Sequence, residues 1–218
     1  MNDYLLAIDT TGEFGSIALL ENERVVEEIP LHSPEGFGHV LFPHLQRLLD
    51  NHALTVSDLA CFASASGPGS FTGVRVGLAA VKGLAEAAGK PAMGVSNLRA
   101  IASFGERAVR AAVLDARRGE VYGGMYDSQS DPLGPEVVAK AGVWAASLPA
   151  EAEVVSTDPA LFAAALPGRN LVQAPRVLAG AIGRIAWRDW RAGTAGDPAA
   201  LDANYVRRSD AELFWKEG

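Results

Sequence analysis

The sequence predicts an α/β fold made of two small lobes, each with a mixed β-sheet and flanking helices. Three observations lead to this prediction. The chain begins with an antiparallel meander of three strands, and it continues with a strand, loop and helix unit near its middle. A later unit of strand, aspartate, turn and strand around Asp115 then resembles the N-terminal unit around Asp9. We place an N-terminal lobe at 1–107 and a smaller C-terminal lobe at 108–218.

Composition narrows the classes of function. With 49% hydrophobic and 21% charged residues, the 218-residue chain is typical of a globular protein with a substantial core. Its net charge of −7 and pI near 5.1 argue against a protein that binds nucleic acid through its own field, because phosphate contacts need clustered Lys and Arg. If RNA is involved, we expect a partner to hold it, so that the chain meets tRNA only indirectly.

The location is predicted to be cytoplasmic. The N-terminus lacks a basic segment, and no apolar run approaches the ~18 residues of a membrane helix. Cys61 is the single cysteine, so it has no internal disulfide partner and is expected to be a buried thiol.

The end of the first predicted strand carries a candidate phosphate or metal site. The strand Tyr4–Ile8 runs directly into Asp9, Thr10 and Thr11. An acidic residue in this place, followed by hydroxyls and glycine, is how actin-like and sugar-kinase-like ATPases hold metal and phosphate. The alternative is a turn in which Asp9 bonds its own backbone. The residues alone leave both possibilities open.

A glycine-rich loop forms the second candidate site. The apolar run Leu59–Ala65 leads into Gly67, Pro68, Gly69 and Ser70, and Ser70 is suited to capping the helix that follows. Gly67, Gly69 and Ser70 either serve packing or contact a phosphate at the helix N-terminus. The loop lacks the Gly-Lys-Ser/Thr of a Walker loop and the Gly-x-Ser-x-Gly of a nucleophile elbow, so nucleophilic catalysis is not expected.

The helix after this loop has two distinct faces. One is an apolar stripe and the other is made of small residues, which allow a second helix, from this chain or another protein, to approach closely. The apolar positions are Val74, Leu78, Val81 and Ala85, and the small ones are Gly73, Gly77, Ala80, Gly83 and Ala87.

An earlier helix is predicted at His39–Asn51, with Leu41, Leu45 and Leu48 on one side. Three of the four histidines, His39, His44 and His52, lie in this helix or directly after it, but their spacing does not give the i, i+4 pair of a helical zinc site. No metal site is therefore expected.

Segments spread over nearly the whole chain resemble one family. They are LLAIDTTGEFGSIALL, SGPGSFTGVRVGLAAVKGLA, GVSNLRAIA, AVLDARRGEVYGGMY and NYVRRSDAELFW. Together they look like the TsaB family, also called YeaZ. The resemblance implies an actin/Hsp70-like (ASKHA, ribonuclease H-like) fold. It also implies a subunit of the bacterial machinery that makes N6-threonylcarbamoyladenosine in tRNA.

In that machinery the catalytic subunit is TsaD, a metal-dependent transferase, and a TsaE ATPase assists. The resemblance implies that this chain is a non-catalytic partner that binds and organises TsaD, or forms a homodimer when alone. It further implies no cofactor beyond weak ATP or ADP binding in the complex. The implied interface residues are Leu41, Leu45, Leu48, Val74, Gly77, Leu78, Ala80, Val81, Gly83 and Leu84.

Two departures from catalytic relatives point the same way. The TsaD relatives that this family resembles have a His-x-x-x-His pair after the fifth strand. The matching positions here are Asn97 and Ile101, which cannot supply an imidazole. Where relatives commonly have a glycine-rich turn that resembles the second phosphate loop of the fold, residues 156–159 are Ser-Thr-Asp-Pro. The alternative function is an autonomous ATPase or phosphotransferase using Asp9, the 67–70 loop and Asp115. The role of Phe214 and Trp215 stays open.

Overall fold

The computed structural model describes residues 3–194, 196–204 and 206, which form two units. The first unit holds the described residues up to Ala100 together with those from Pro175 to Ala203, and the second holds Ile101–Ala174 together with Asn204 and Val206. We expected residues 108–218 to form the second lobe, and that boundary needs correction. The chain returns after Ala174, because the helix over 179–191 packs on the first sheet. Phe214 and Trp215 lie outside the described residues.

The first sheet confirms the predicted meander. Its strands are β1 (Tyr4–Asp9), β2 (Phe14–Glu21), β3 (Arg24–His32), β4 (Leu59–Gly67) and β5 (Ala92–Ser96). They lie in the order β3-β2-β1-β4-β5, with β1 to β3 antiparallel and β4 and β5 parallel to β1. The carboxyl ends of β1, β4 and β5 therefore meet at one edge of the sheet.

Within residues 3–194, 196–204 and 206, five α-helices accompany the two sheets. They are α1 (Leu41–Asn51), α2 (Phe71–Ala88), α3 (Asn97–Ala102), α4 (Ala141–Ser147) and α5 (Ala179–Arg191). Helix α2 begins after Ser70, whose side chain accepts the Gly73 N–H, and ends at Gly89, whose positive φ suits a glycine. The predicted cap at Ser70 is thus present.

Helices α1 and α2 share one hydrophobic core with the first sheet. Leu41, Leu45 and Leu48 of α1 point into that core, beside Val81 of α2. Helix α5 covers the opposite face, where Leu20 packs against Gly183, because side chains alternate between the two faces of a strand. The sheet is therefore enclosed by helices on both sides.

The small-residue face of α2 packs within the chain. A Cβ atom on Gly73 would lie 2.1 Å from the carbonyl oxygen of Thr10, and one on Gly77 would lie 2.7 Å from Thr10 Oγ1 and 2.9 Å from Ser64 Oγ. These glycines bring α2 directly against β1 and β4. Our expectation that Gly77 contacts a partner is therefore corrected, since this chain's own strands occupy that face.

The second sheet repeats the first. Its strands are β6 (Arg110–Arg117), β7 (Glu120–Tyr126), β8 (Val137–Lys140), β9 (Glu153–Ser156) and β10 (Leu171–Gln173). The order β10-β9-β6-β7-β8 is that of the first sheet, with β6 in the place of β1. A meander, then α4, β9 and β10, follows the same path as its counterpart, so the predicted relationship between the lobes is present in the topology.

The repeat is unequal in its helices. The counterpart of α2, between β9 and β10, is only a 3₁₀ turn, Pro159–Phe162. The core of this unit is correspondingly small and gathers around Trp144 and Phe162. The second lobe thus keeps the sheet of the repeat while losing its long helix.

The structure bears on the single cysteine and on the length of the apolar helices. Cys61 is buried in β4, and burial raises the pKa of its thiol to about 12, as suits an unreactive core residue. Within the described ranges, no helix combines the length and apolar character that crossing a membrane requires.

Substituting two glycines of α2 tests the packing of its small-residue face. We expect Gly73→Ala to destabilise the protein by about 1–3 kcal/mol or more, because the new Cβ meets the rigid Thr10 carbonyl. Gly83→Ala is the matched control: nothing lies within 4 Å of its Cβ position, so better helix propensity should stabilise by about 0.5–1 kcal/mol. Urea unfolding measures both, and equal effects at the two sites would contradict this packing.

Candidate functional site: the junction of the Asp9 turn and the Gly67 loop

The Asp9 carboxyl group holds the turn that follows β1. Its Oδ1 atom accepts a hydrogen bond from the backbone N–H of Thr11 at 2.9 Å and another from Thr11 Oγ1 at 2.7 Å. Asp9 is only 2% exposed. The geometry is that of an aspartate that bonds its own backbone two residues on, the second of the two roles considered for it.

The glycine-rich loop fits directly against this turn. The N–H of Ser70 donates to the Thr11 carbonyl at 2.7 Å, and Thr10 Oγ1 donates to the Gly73 carbonyl at 2.7 Å. A Cβ on Gly69 would lie 2.6 Å from the Thr11 carbonyl oxygen. The glycine at position 69 thus serves close packing of the loop on the turn, and the structure brings the two sets of predicted site residues together.

Asn97, at the start of α3, completes the junction. Its Nδ2 donates to Thr11 Oγ1 at 2.7 Å and lies 3.5 Å from Asp9 Oδ1, while its Oδ1 accepts the Gly67 N–H at 3.1 Å. The side chain is buried. One amide thereby links the ends of β1, β4 and β5. The sequence motifs single out Asn97 only because it lacks an imidazole. The feature that indicates its linking role is a polar residue at a strand-to-helix junction.

Burial dominates the electrostatics of this junction. Desolvation raises the pKa of Asp9, the hydrogen bonds from Thr11 and Asn97 oppose that shift, and the charge of Glu28 adds to it. The ionised form of Asp9 is therefore disfavoured. A buried carboxyl group that accepts these hydrogen bonds suits holding the turn.

The start of α2 has part of its anion-binding capacity already in use. Ser70 Oγ accepts the Gly73 N–H at 3.3 Å, and the loop itself is engaged by Thr11 and Asn97. Free N–H groups at a helix N-terminus are what attract phosphate. Over the described part of the chain, no group of three or more His, Cys, Asp or Glu side chains is arranged to hold a metal ion.

The second unit contains a turn of the same kind at Asp115. Asp115 Oδ1 accepts the Arg117 N–H at 2.8 Å, two residues on, just as Asp9 does with Thr11. Asp115 is nevertheless exposed, and the nearby β9 is followed by the 3₁₀ turn rather than by an α-helix. The second lobe therefore repeats the turn without the glycine loop and helix that accompany it in the first.

Most residues expected at a partner interface are buried in the first unit. Besides Gly77, the buried positions are Leu41, Leu45, Leu48, Val74, Leu78, Ala80 and Val81, and they are corrected to core residues. Gly83 is exposed and Leu84 is half-buried. The apolar stripe of each helix packs on the sheet because this burial is what keeps an amphipathic helix attached to its own domain.

The outer face of α1 and α2 carries different residues. Phe42 is 51% exposed at the start of α1, and Phe71 is 48% exposed at the start of α2. The Arg75 guanidinium lies 3.7 Å from the centroid of the Phe71 ring. Ala79 and Gly83 continue the exposed side of α2. We refer to Phe42, Phe71, Arg75, Ala79 and Gly83 as the outer helical face.

Comparison with known proteins identifies the family. Residues 29–160 match the family described as TsaD: tRNA N6-adenosine threonylcarbamoyltransferase. A solved structure of YeaZ from Pseudomonas aeruginosa is 30% identical, has a TM-score of 0.80, and is matched over 93% of this chain and 99% of that one. The chain belongs to the TsaB/YeaZ family. The resemblance stated from its sequence motifs is thereby confirmed.

Curated relatives carry a functional name. Proteins named tRNA threonylcarbamoyladenosine biosynthesis protein TsaB, from Escherichia coli and Bacillus subtilis, are 40% identical over 133 residues and 34% identical over 131 residues. Each match covers 59% of this TsaB/YeaZ chain and 57% of the relative. The match thus spans little more than half the length of these relatives.

A more distant structure bears on the fold alone. Component A of the (R)-2-hydroxyglutaryl-CoA dehydratase of Acidaminococcus fermentans is 9% identical, with a TM-score of 0.54 over 86% of this chain and 98% of that one. Together with the duplicated sheets, it confirms the predicted actin/Hsp70-like class for this member of the TsaB/YeaZ family.

Replacing Asp9 by Asn tests the state of the buried carboxyl. Because the folded pKa of Asp9 lies above its unfolded value of 3.8, wild-type stability falls as pH rises from that value through the folded pKa. Asp9→Asn keeps an acceptor for Thr11 and removes the ionisation. We expect the variant to gain stability relative to wild type as pH rises, with the two converging near pH 3.8 in denaturant titrations.

The exposed Asp50 on α1 provides the matched control for that experiment. Asp50→Asn should leave the difference in stability nearly independent of pH. A wild type that becomes the more stable protein at high pH would show that ionised Asp9 is stabilised in the fold, contrary to the burial argument.

Removing the Asn97 amide tests its role as the link between three strand ends. Asn97→Ala leaves the Gly67 N–H and Thr11 Oγ1 without this partner in a buried place, so we expect a loss of about 1–3 kcal/mol of stability. Asn51→Ala, at an exposed amide that bonds Glu27, should change stability by less than about 0.5 kcal/mol. Thermal and urea unfolding of both variants measure the difference, and a neutral Asn97→Ala would refute the role.

Proposed function

We propose that the chain is a non-catalytic subunit of the complex that forms N6-threonylcarbamoyladenosine in tRNA, and that it binds and organises a TsaD-like catalytic subunit. In this proposal a TsaE-like ATPase assists, this chain meets tRNA only indirectly through the other subunits, and the complex works in the cytoplasm. The family match to TsaD and the curated names of the TsaB relatives support the reaction.

The use of Asn97 is the observation that carries the non-catalytic role. Asn97 and Ile101 stand where TsaD proteins resemble one another in a histidine pair. Here Ile101 is fully buried, and the Asn97 amide forms hydrogen bonds with Thr11, Asp9 and Gly67. The position that would present a metal ligand is thus committed to holding the fold together. Zinc and iron sites of this type need imidazole or carboxylate groups that face an open position.

Asp9 supports the same conclusion against an autonomous ATPase. An actin-like phosphotransferase needs an ionised acidic group near the metal and phosphate-binding loops in both lobes. In this chain the Asp9 carboxyl is buried with a raised pKa, and the loop after β9 opens a single 3₁₀ turn. We therefore propose that any ATP or ADP binding is weak and occurs only in the complex.

The outer helical face is the surface we assign to the partner. The surface includes two half-exposed phenylalanines, at the starts of α1 and α2, and Arg75 lies over the Phe71 ring. Aromatic residues and arginine are the types that dominate binding energy at protein interfaces. Ala79 and Gly83 are small enough to let a partner helix approach α2 closely. The occupant is TsaD in the complex, and a second copy of this chain in its absence.

Truncating the exposed aromatic residues tests this assignment. We expect Phe71→Ala and Phe42→Ala each to weaken TsaD binding about tenfold or more, with little change in stability, because both rings are half-exposed in the free chain. Val143→Ala is the control, since Val143 is 68% exposed in the second unit. Isothermal titration calorimetry with the TsaD protein of the same organism measures binding.

A reconstituted reaction tests the function itself. TsaD, TsaE and the threonylcarbamoyl-adenylate synthase, with ATP, threonine, bicarbonate and unmodified tRNA, should form the modified adenosine only when this chain is added. Phe71→Ala should lower the yield at limiting concentration of the chain. A reaction that runs equally well without the chain, combined with ATP hydrolysis by the chain alone that Asp9→Asn abolishes, would favour the ATPase instead.

A further inference from the structure

The two edges of the first sheet differ in their chemistry. The β3 edge contains Pro30, which has no backbone N–H to donate, and the charged residues Arg24, Glu27 and Glu28. Proline and charged side chains on an edge strand prevent it from pairing with another chain. The β5 edge, with the sequence Ala-Met-Gly-Val-Ser, contains neither. Protection of β5 against edge-to-edge pairing therefore has to come from another part of the chain.

Residues 196–201, which follow α5, lie beside the β5 edge. The Ala92 N–H donates to the Gly196 carbonyl at 3.3 Å, and the two residues form an antiparallel bridge. Leu201 then packs over Gly94, because its Cδ1 atom lies 3.1 Å from the position that a Cβ on that glycine would occupy. All six residues belong to the first unit. We refer to residues 196–201 as the strap.

The strap is attached to the first unit at separate points. Its 3₁₀ turn, Pro198–Ala200, packs on α2, and Lys82 Nζ donates to the Ala199 carbonyl at 3.3 Å. Leu201 is half-buried against the core that α1 and α2 share with the sheet. Over the described residues, the bridge at Ala92 is the only backbone pairing between the strap and β5. An isolated bridge opens more easily than a ladder, so the strap can separate from β5 while the sheet stays folded.

We propose that the strap guards the β5 edge and prevents β5 from pairing with the β5 strand of a second copy of this chain. Gly196 occupies the place beside Ala92 that a residue of a further strand would take. The β5 strand has no charged side chain, so two antiparallel β5 strands meet no like-charge repulsion. An edge without charge or proline is the template on which a second chain pairs.

The shortness of β5 makes one blocked position sufficient. Alternate residues of a strand direct their N–H and C=O groups to the same edge, so the backbone of Gly94 faces the same way as that of Ala92. Gly94 is exposed, so water still reaches the middle of this edge. A strand of five residues offers few outward pairs, and without Ala92 a second copy cannot form a ladder of ordinary length. The guard therefore depends on the contacts that hold the Gly196 end in place.

Leu201→Ala in the isolated full chain tests this guard. The substitution removes the anchor over Gly94 and leaves β5 itself unchanged. We expect exchange of the Ala92 amide, followed by NMR, to accelerate about tenfold or more relative to the amides of β1, because the strap opens locally. We also expect concentration-dependent assemblies larger than those of the wild type, measured by size-exclusion chromatography with light scattering.

Leu54→Ala is the matched control, because Leu54 is another half-buried leucine against the same core and lies outside the strap. It should leave the relative Ala92 exchange and the assembly size unchanged. Lys82→Met removes a strap contact from the surface of α2 and should accelerate Ala92 exchange about twofold. Equal results for Leu201→Ala and Leu54→Ala, or faster Ala92 exchange without larger assemblies, would overturn the proposal. The proposed function stands in either case, since it is tested in the complex.

Discussion

The close contact between the Asp9 turn and the glycine face of α2 is the constraint on which the first unit depends. Gly69 and Gly73 leave room for the carbonyl groups of Thr11 and Thr10, and Thr10 Oγ1 donates to the Gly73 carbonyl. A Cβ atom at Gly69 or Gly73 would push the loop or the helix away from the Asp9 turn. The approach allows α2 to cover the sheet, which in turn buries the leucines of α1 in the same core.

The same contact explains why ATPase-like features of the sequence need not bind nucleotide. An acidic residue after the first strand, a glycine-rich loop and a helix N-terminus are all present, but they satisfy one another. Asp9 holds Thr11, Thr11 accepts the Ser70 N–H, and Asn97 joins both to Gly67. Groups that would bind phosphate are thus used to stabilise the junction of three strand ends.

The duplicated sheets show how the two lobes diverged in physical terms. The second repeat retains the strand order and the aspartate turn, while its second helix is reduced to a 3₁₀ turn and its core gathers around Trp144. A lobe without that helix has less apolar surface to bury and no long helix N-terminus near the end of β9. The first lobe accordingly offers the larger helical surface, which includes the outer helical face.

The amino-acid sequence alone predicts the meander, the capped helix after the glycine loop and the relationship between the lobes, and its motifs indicate the family. These features can be predicted because strand alternation, helix caps and turn residues act locally. Tertiary structure decided the rest. Periodicity indicates that α1 and α2 each have an apolar side, but it does not distinguish a core from an interface, and the family resemblance points to a partner at Leu41 and Gly77. The return of α5 to the first sheet, and the meeting of Asn97 with Thr11 across 86 residues, likewise depend on long-range packing that no local pattern encodes.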